Sequence, residues 1–192
     1  MTSPALLTIV PSLTAGERHE LLWLARESIR AALRRAAAPG PRMRAAALEE
    51  PSAAFVSLHV EQRLRGCVGT VTADRALYET VVLMARSAAF DDPRFGPLTE
   101  AELMAVEIEI SRLSALVPVR PEQVEPGIHG LCLRCGEHRA VFLPQVATTQ
   151  GWDRATLLAE LCAKALLPAD AWAWRDAELL AFTAEVFGER AT

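Results

Sequence analysis

Leu64-Arg65-Gly66-Cys67-Val68-Gly69-Thr70 is the stretch that decides how the rest of the chain is read. Ahead of it, Phe55 to Val60 alternates apolar with other residues, Gln62 and Arg63 supply a turn, and Leu64, Val68 and Val71 resume a strand-like pattern. This reads as a β-hairpin. Period-two geometry puts Arg65 and Cys67 on one face, about 6.5–7 Å apart, where a guanidinium favours the nucleophilic form of a thiol. Gly66 and Gly69 remove side chains that would pack a strand, which marks a bulge or another group close to the backbone; a substrate is one such group. A strand cysteine also commonly serves as a small buried hydrophobe, so both readings of Cys67 stay open.

Composition limits the alternatives. The chain has 192 residues, 51% hydrophobic and 23% charged, enough for a proper core in one ordinary globular domain. A net charge of −4 gives no general basic surface, so nucleic acid is not an expected partner; only Arg34, Arg35, Arg42 and Arg44 gather locally. Four cysteines are too few for a disulfide scaffold, no apolar run is long enough to span a bilayer, and the N-terminus shows no cationic region ahead of an apolar stretch. A cytoplasmic protein with no membrane association is expected. With no Walker or Rossmann-type loop, no cofactor is expected either.

Residues 1–16, with an apolar patch at Ala5–Val10, read as an irregular lead-in to a domain over 17–192. An amphipathic helix is expected over Glu17–Arg35, and another over about Arg75–Phe90 with Asp74 as its cap. Asp91-Asp92-Pro93 stops that helix, and Thr99, Glu100 and Glu102 start a short one. Val106 to Leu113 is a strand with Glu107, Glu109 and Ser111 on one side. Beside the 64–71 strand, Glu107 or Glu109 would pair with Arg65. Pro118 to Gly127 reads as a connector, Ile128 to Leu143 as a hairpin turning at Gly136, and Arg154–Leu167 as a helix capped by Asp153. Glu178 to Phe187 has no clear period. Cys132, Cys135 and His138 have ligand-like spacing but no second pair nearby, so no metal is expected. Lys164 is the only lysine among the 20 basic residues. Its position either wants a compact or deprotonatable amine or holds lysine by chance.

Six ordered stretches carry a resemblance: LRGCVGT (64–70), FDDPRFGPLT (90–99), VEIEISRLS (106–114), GIHGLCL (127–133), FLPQVATTQGWD (142–153) and LCAKALL (161–167). Together they resemble the AMMECR1 domain family over nearly the whole chain. The resemblance implies an α+β domain, mostly antiparallel sheet with packed helices, in which two subdomains form a cleft and the chain closes with a strand. It also implies a three-part system with a Memo-like protein of the dioxygenase superfamily and a radical SAM protein. His129 matches the family's His-Gly pair and, as an imidazole, is the expected base for Cys67, with Arg65 as electrostatic partner. Gly66, Gly69, Glu107, Glu109, Arg94 and Lys164 are the expected cleft or substrate-binding residues. Leu166 departs from the pattern, standing where the family has glycine. Two functions follow: a small-molecule enzyme using Cys67 for acyl-transfer or hydrolytic chemistry, or a non-catalytic adaptor whose glycines admit close partner contact.

Overall fold

Thr14-Ala-Gly-Glu17 opens the first helix with a capping box: Thr14 Oγ accepts from the Glu17 N–H at 3.3 Å, and Glu17 Oε2 accepts from the Thr14 N–H at 2.7 Å. The helix therefore starts at Ala15, inside the expected lead-in. The structure, a computed structural model, describes residues 11–189, so the apolar patch at Ala5–Val10 lies outside the described residues. In chain order the elements are α1 (Ala15–Leu33), α2 (Ala46–Glu49), β1 (Ala54–Val60), β2 (Arg63–Gly69), α3 (Leu77–Phe90), α4 (Glu100–Leu103), β3 (Glu107–Leu113), β4 (Val117–Pro118), β5 (Gly130–Cys135), β6 (His138–Phe142), α5 (Pro144–Gln150), α6 (Arg154–Lys164), β7 (Ala177–Phe182) and β8 (Ala184–Gly188). Two antiparallel sheets hold the strands, in the orders β2-β1-β3-β8 and β4-β7-β5-β6. Pro11–Leu113 with Glu185–Glu189 forms one compact unit and Ser114–Ala184 the other.

In the unit built on β1, one sheet face carries Val56, Leu58, Ile108 and Ile110. These form a core with Leu21, Ala25 and Ile29 of α1 and Leu77, Val81, Ala85 and Ala88 of α3. Asp74 does not cap α3. It pairs with Arg75, and the Leu77 N–H instead donates to Glu50 O at 3.0 Å. The hairpin turn is Glu61-Gln62, one residue earlier than expected, with φ of 50° and 67° and Arg63 already paired with Val60. Positive φ at both positions is what a tight two-residue hairpin turn requires to match the twist of its strands. Pairing then jumps from His59↔Leu64 to Leu58↔Gly66, leaving Arg65 as the extra residue of a bulge.

The other unit packs Leu131, Leu133, Ala140, Leu179 and Ala181 against Leu157, Leu158 and Leu161 of α6. Asp153 caps α6 as expected, accepting from the Thr156 N–H at 2.8 Å. The connector contains the short outer strand β4, where Pro118 is tolerated because an outer strand needs fewer donors. The ambiguous C-terminal stretch is not one strand but two, β7 and β8, in different sheets. Thr183 breaks it, its N–H donating to Ser114 Oγ and its carbonyl accepting from the Ser114 N–H, both at 2.9 Å.

The glycines of the hairpin are filled from within. A Cβ on Gly66 would lie 2.1 Å from the Ala88 carbonyl oxygen of α3, and one on Gly69 would lie 2.1 Å from the Phe55 ring. The space expected for a substrate at Gly66 and Gly69 is thus taken by the protein itself. We expect Gly66→Ala to destabilise by about 2–3 kcal/mol, because backbone must move, and Gly69→Ala by about 1 kcal/mol, because a ring can turn. Urea midpoints check the order. Leu166 is 85% exposed and sits at φ 59°. Left-handed backbone costs a non-glycine residue about 1–2 kcal/mol, whereas glycine's extra unfolded-state freedom costs about 0.5–1 kcal/mol. Leu166→Gly should therefore raise the melting temperature by about 2 °C, read by calorimetry.

Candidate functional site

β2 is an outer strand, so half of its backbone groups have no strand to bond. At Cys67 both are met by one loop. The Cys67 N–H donates to Asp92 Oδ2 at 2.9 Å, and its carbonyl accepts from Arg94 Nη2 at 3.4 Å. Asp92 and Arg94 are themselves clasped: Arg94 Nε to Oδ1 at 2.9 Å, Nη2 to Oδ2 at 2.7 Å, and the Arg94 N–H to Oδ1 at 3.1 Å. The carboxylate is 3% exposed and the guanidinium 55%. Hydrogen bonds from Arg94 hold the Asp92 carboxyl far below the usual range, burial opposes this, and the Cys67 N–H adds to the lowering.

The side chain of Cys67, a half-buried free thiol, accepts from Ser57 Oγ at 3.3 Å. Ser57 is its cross-strand partner and also faces Glu109 of β3, while His59 faces Glu107 one step along. By strand alternation these groups share the face opposite Val56 and Leu58. Sequence reasoning missed Ser57 and Asp92 as neighbours of the thiol. In the sequence Asp92 reads either as a turn or capping residue before Pro93, the favoured role, or as one that lines the cleft, and no local pattern reports which distant N–H a carboxylate reaches.

Arg65 does not pair with Glu107 or Glu109. β1 lies between β2 and β3, which separates them by about 9.5 Å, and the bulge displaces Arg65. Its Nε donates to Glu102 Oε1 at 2.8 Å and its Nη2 to Oε2 at 3.3 Å. Glu102 also closes a capping box with Thr99 at the start of α4. Hydrogen bonding from Arg65, followed by that from Thr99, brings its carboxyl down to about 2. The Arg65 charge is thus committed to Glu102 and not to the thiol. Glu107 and Glu109 instead line a cavity of about 260 Å³ with His59, Gln62, Val186 and Gly188, which does not include Cys67.

His129 and Lys164 belong to the other unit. His129 Nδ1 accepts from the Glu125 N–H at 3.0 Å, and burial lowers its pKa while Glu125 partly counters. With Nδ1 accepting from a backbone N–H, the ring carries its proton on Nε2, and its one lone pair is already used. This arrangement corrects the expectation of a ready base. Lys164 is exposed at the end of α6, its Nζ donating to Val141 O at 2.8 Å and lying 4.5 Å from the Phe142 ring centre. Cys132 and Cys135 lie three apart on β5 and so point to opposite faces, and His138 Nδ1 lies 2.8 Å from Ala165 O. Burial pushes the Cys132 thiol up. Among the described residues, no group of three His, Cys, Asp or Glu side chains is placed to hold a metal.

Two antiparallel four-stranded sheets, with the Leu-Arg-Gly-Cys run on an outer strand, define an α+β protein of a recognisable class. The AMMECR1 family model matches residues 22–187, and the chain belongs to the AMMECR1 family. It is 40% identical over 152 residues to a protein of Aeropyrum pernix, covering 74% of this chain and 66% of that one. It is 35% identical over 188 residues to a protein of Methanosarcina acetivorans, covering 93% and 94%. The crystal structure of an uncharacterised protein from Pyrococcus horikoshii superposes with a TM-score of 0.85 at 34% identity, covering 91% of this chain and 92% of that one. Among the described residues, no helix is long and apolar enough to cross a membrane.

The Arg65–Glu102 pair predicts a pH dependence. With its folded pKa near 2, below the ordinary 4.5, Glu102 contributes stability that is fully present above about pH 5 and is lost as the pH falls toward 2. Glu102→Gln should be less stable at pH 7 and show a shallower fall between pH 5 and pH 2 in urea unfolding.

Proposed function

We propose that the protein is a small-molecule enzyme that uses Cys67 for acyl transfer or hydrolysis. The observation that supports this reading is the double clasp of the Cys67 backbone by Asp92 and Arg94, which fixes a half-buried thiol on a rigid strand. A nucleophile gains most from a fixed line of approach, and a strand locked at both its N–H and its carbonyl supplies one. In the first step Sγ bonds to the substrate's acyl carbon. The bond to the leaving group breaks, and the leaving group departs with the electron pair and takes up the thiol proton. Water then cleaves the thioester, releasing the acid and restoring the thiol. Ser57 Oγ, donating to the sulfur, orients it. His129, with its lone pair in use, is left out of this scheme.

The Memo-like and radical SAM companions implied by the family remain part of the reading, as suppliers or consumers of the small molecule. The adaptor alternative drew on Gly66 and Gly69 as points of close partner contact. With α3 and Phe55 at those positions, that argument loses its footing.

Cys67→Ser is close to isosteric and removes chiefly nucleophilicity. In cells lacking this gene it should fail to complement, while pull-down of the two companions and the melting temperature stay as in the unaltered protein. Full complementation by Cys67→Ser would reject the proposal.

A further inference from the structure

We infer that the substrate reacting at Cys67 carries an anionic group, a carboxylate or phosphate, which Arg94 binds; this rests on the reading of Cys67 as nucleophile. Arg94 spends Nε and Nη2 on Asp92, and Nη2 also reaches the Cys67 carbonyl. Its third nitrogen, Nη1, bonds to no described residue. The buried Asp92 carboxylate lies inward and the half-exposed guanidinium outward, so the clasp presents its positive end to solvent beside the reactive strand. A guanidinium already locked in one rotamer by a bidentate carboxylate loses little freedom when it takes a ligand, and its planar fork suits carboxylate and phosphate oxygens.

A second nitrogen, carried by β2, points the same way. Arg65 Nη1 is buried and has no acceptor. A buried N–H without an acceptor is costly, so this N–H, on a guanidinium whose charge Glu102 already shares, favours an acceptor oxygen over an added cation or an apolar group. Arg65 and Arg94 both lie near one ring, their Cζ atoms 5.8 and 5.5 Å from the Phe95 centre. The two guanidinium groups thus meet at the one short loop that holds the Cys67 backbone.

Paired alkylating reagents test this without knowledge of the natural substrate. Iodoacetate and iodoacetamide react identically, the thiolate carbon–sulfur bond forming as iodide leaves with its electron pair, but only iodoacetate is an anion. Rates at Cys67 and at Cys135, the other partly exposed thiol, are read by mass spectrometry of the full-length protein. The iodoacetate-to-iodoacetamide ratio at Cys67 should exceed that at Cys135 by roughly fivefold at low salt, the scale of one exposed ion pair, and should shrink as salt is raised. Arg94→Gln should abolish the excess, whereas Arg94→Lys, which keeps the charge, should retain part of it. If Arg94→Gln changes both rates by the same factor, the residue acts on the strand alone and the inference is overturned. Equal ratios at Cys67 and Cys135 in the unaltered protein also overturn it while leaving Cys67 as nucleophile. A Cys67 inert to both reagents overturns the nucleophile reading and the inference with it.

Discussion

An outer β-strand must have its outward N–H and carbonyl groups answered, or it becomes a template for another chain. On β2 the answer is not a further strand but a loop of side chains. Asp92 accepts and Arg94 donates at Cys67, as a neighbouring strand would. Further along, Pro97 O and Glu102 hold Arg65 where the bulge has thrown it outward. The loop can do this because it is itself anchored. Leu98 is buried and its N–H donates to Ala89 O, and Glu102 is fixed by the capping box of α4. Edge protection and the rigid seating of the thiol are therefore one arrangement, and neither can be altered without the other.

Much of this fold was legible because its signals are local. The apolar period of α1, the alternation of β3 and the Asp153 cap each depend on residues within a turn or two of each other, and all three are present. What escaped depends on distance in the chain. The bulge at Arg65 is set by pairing with β1, and the partner of Arg65 is chosen by where α4 comes to rest. Glu178 to Phe187 could not be parsed by period because half of it serves one sheet and half the other, so no single rhythm runs through it. For the site, Cys67 and Arg94 were named from residue type and resemblance. Ser57 and Asp92 needed coordinates, since a cross-strand rung and a contact between residues 67 and 92 leave no trace in spacing.

The two sheets share a packing device. Phe55 lies over Gly69, its partner across β1 and β2, and Phe182 lies over Gly130, its partner across β7 and β5. In each case a ring covers backbone that a glycine leaves bare, so the strand regains the contacts that its missing side chain forfeits. A glycine in a strand signals a close approach, but the approaching group can be the protein's own aromatic ring.

The unit that holds Cys67 is made from two separated pieces of chain, with Ser114–Ala184 forming the other unit between them. β3 finds its outer neighbour only in β8, and Glu185 is the acceptor for both Arg18 of α1 and the N–H of Leu13 just ahead of it. During synthesis at about 5–20 residues per second, β3 waits several seconds for that neighbour. Throughout that interval the nascent sheet has an open border on the side away from Cys67. Of the two units the interrupted one is therefore the first to be begun and the last to be completed, and the uninterrupted one can mature while its host is still unfinished.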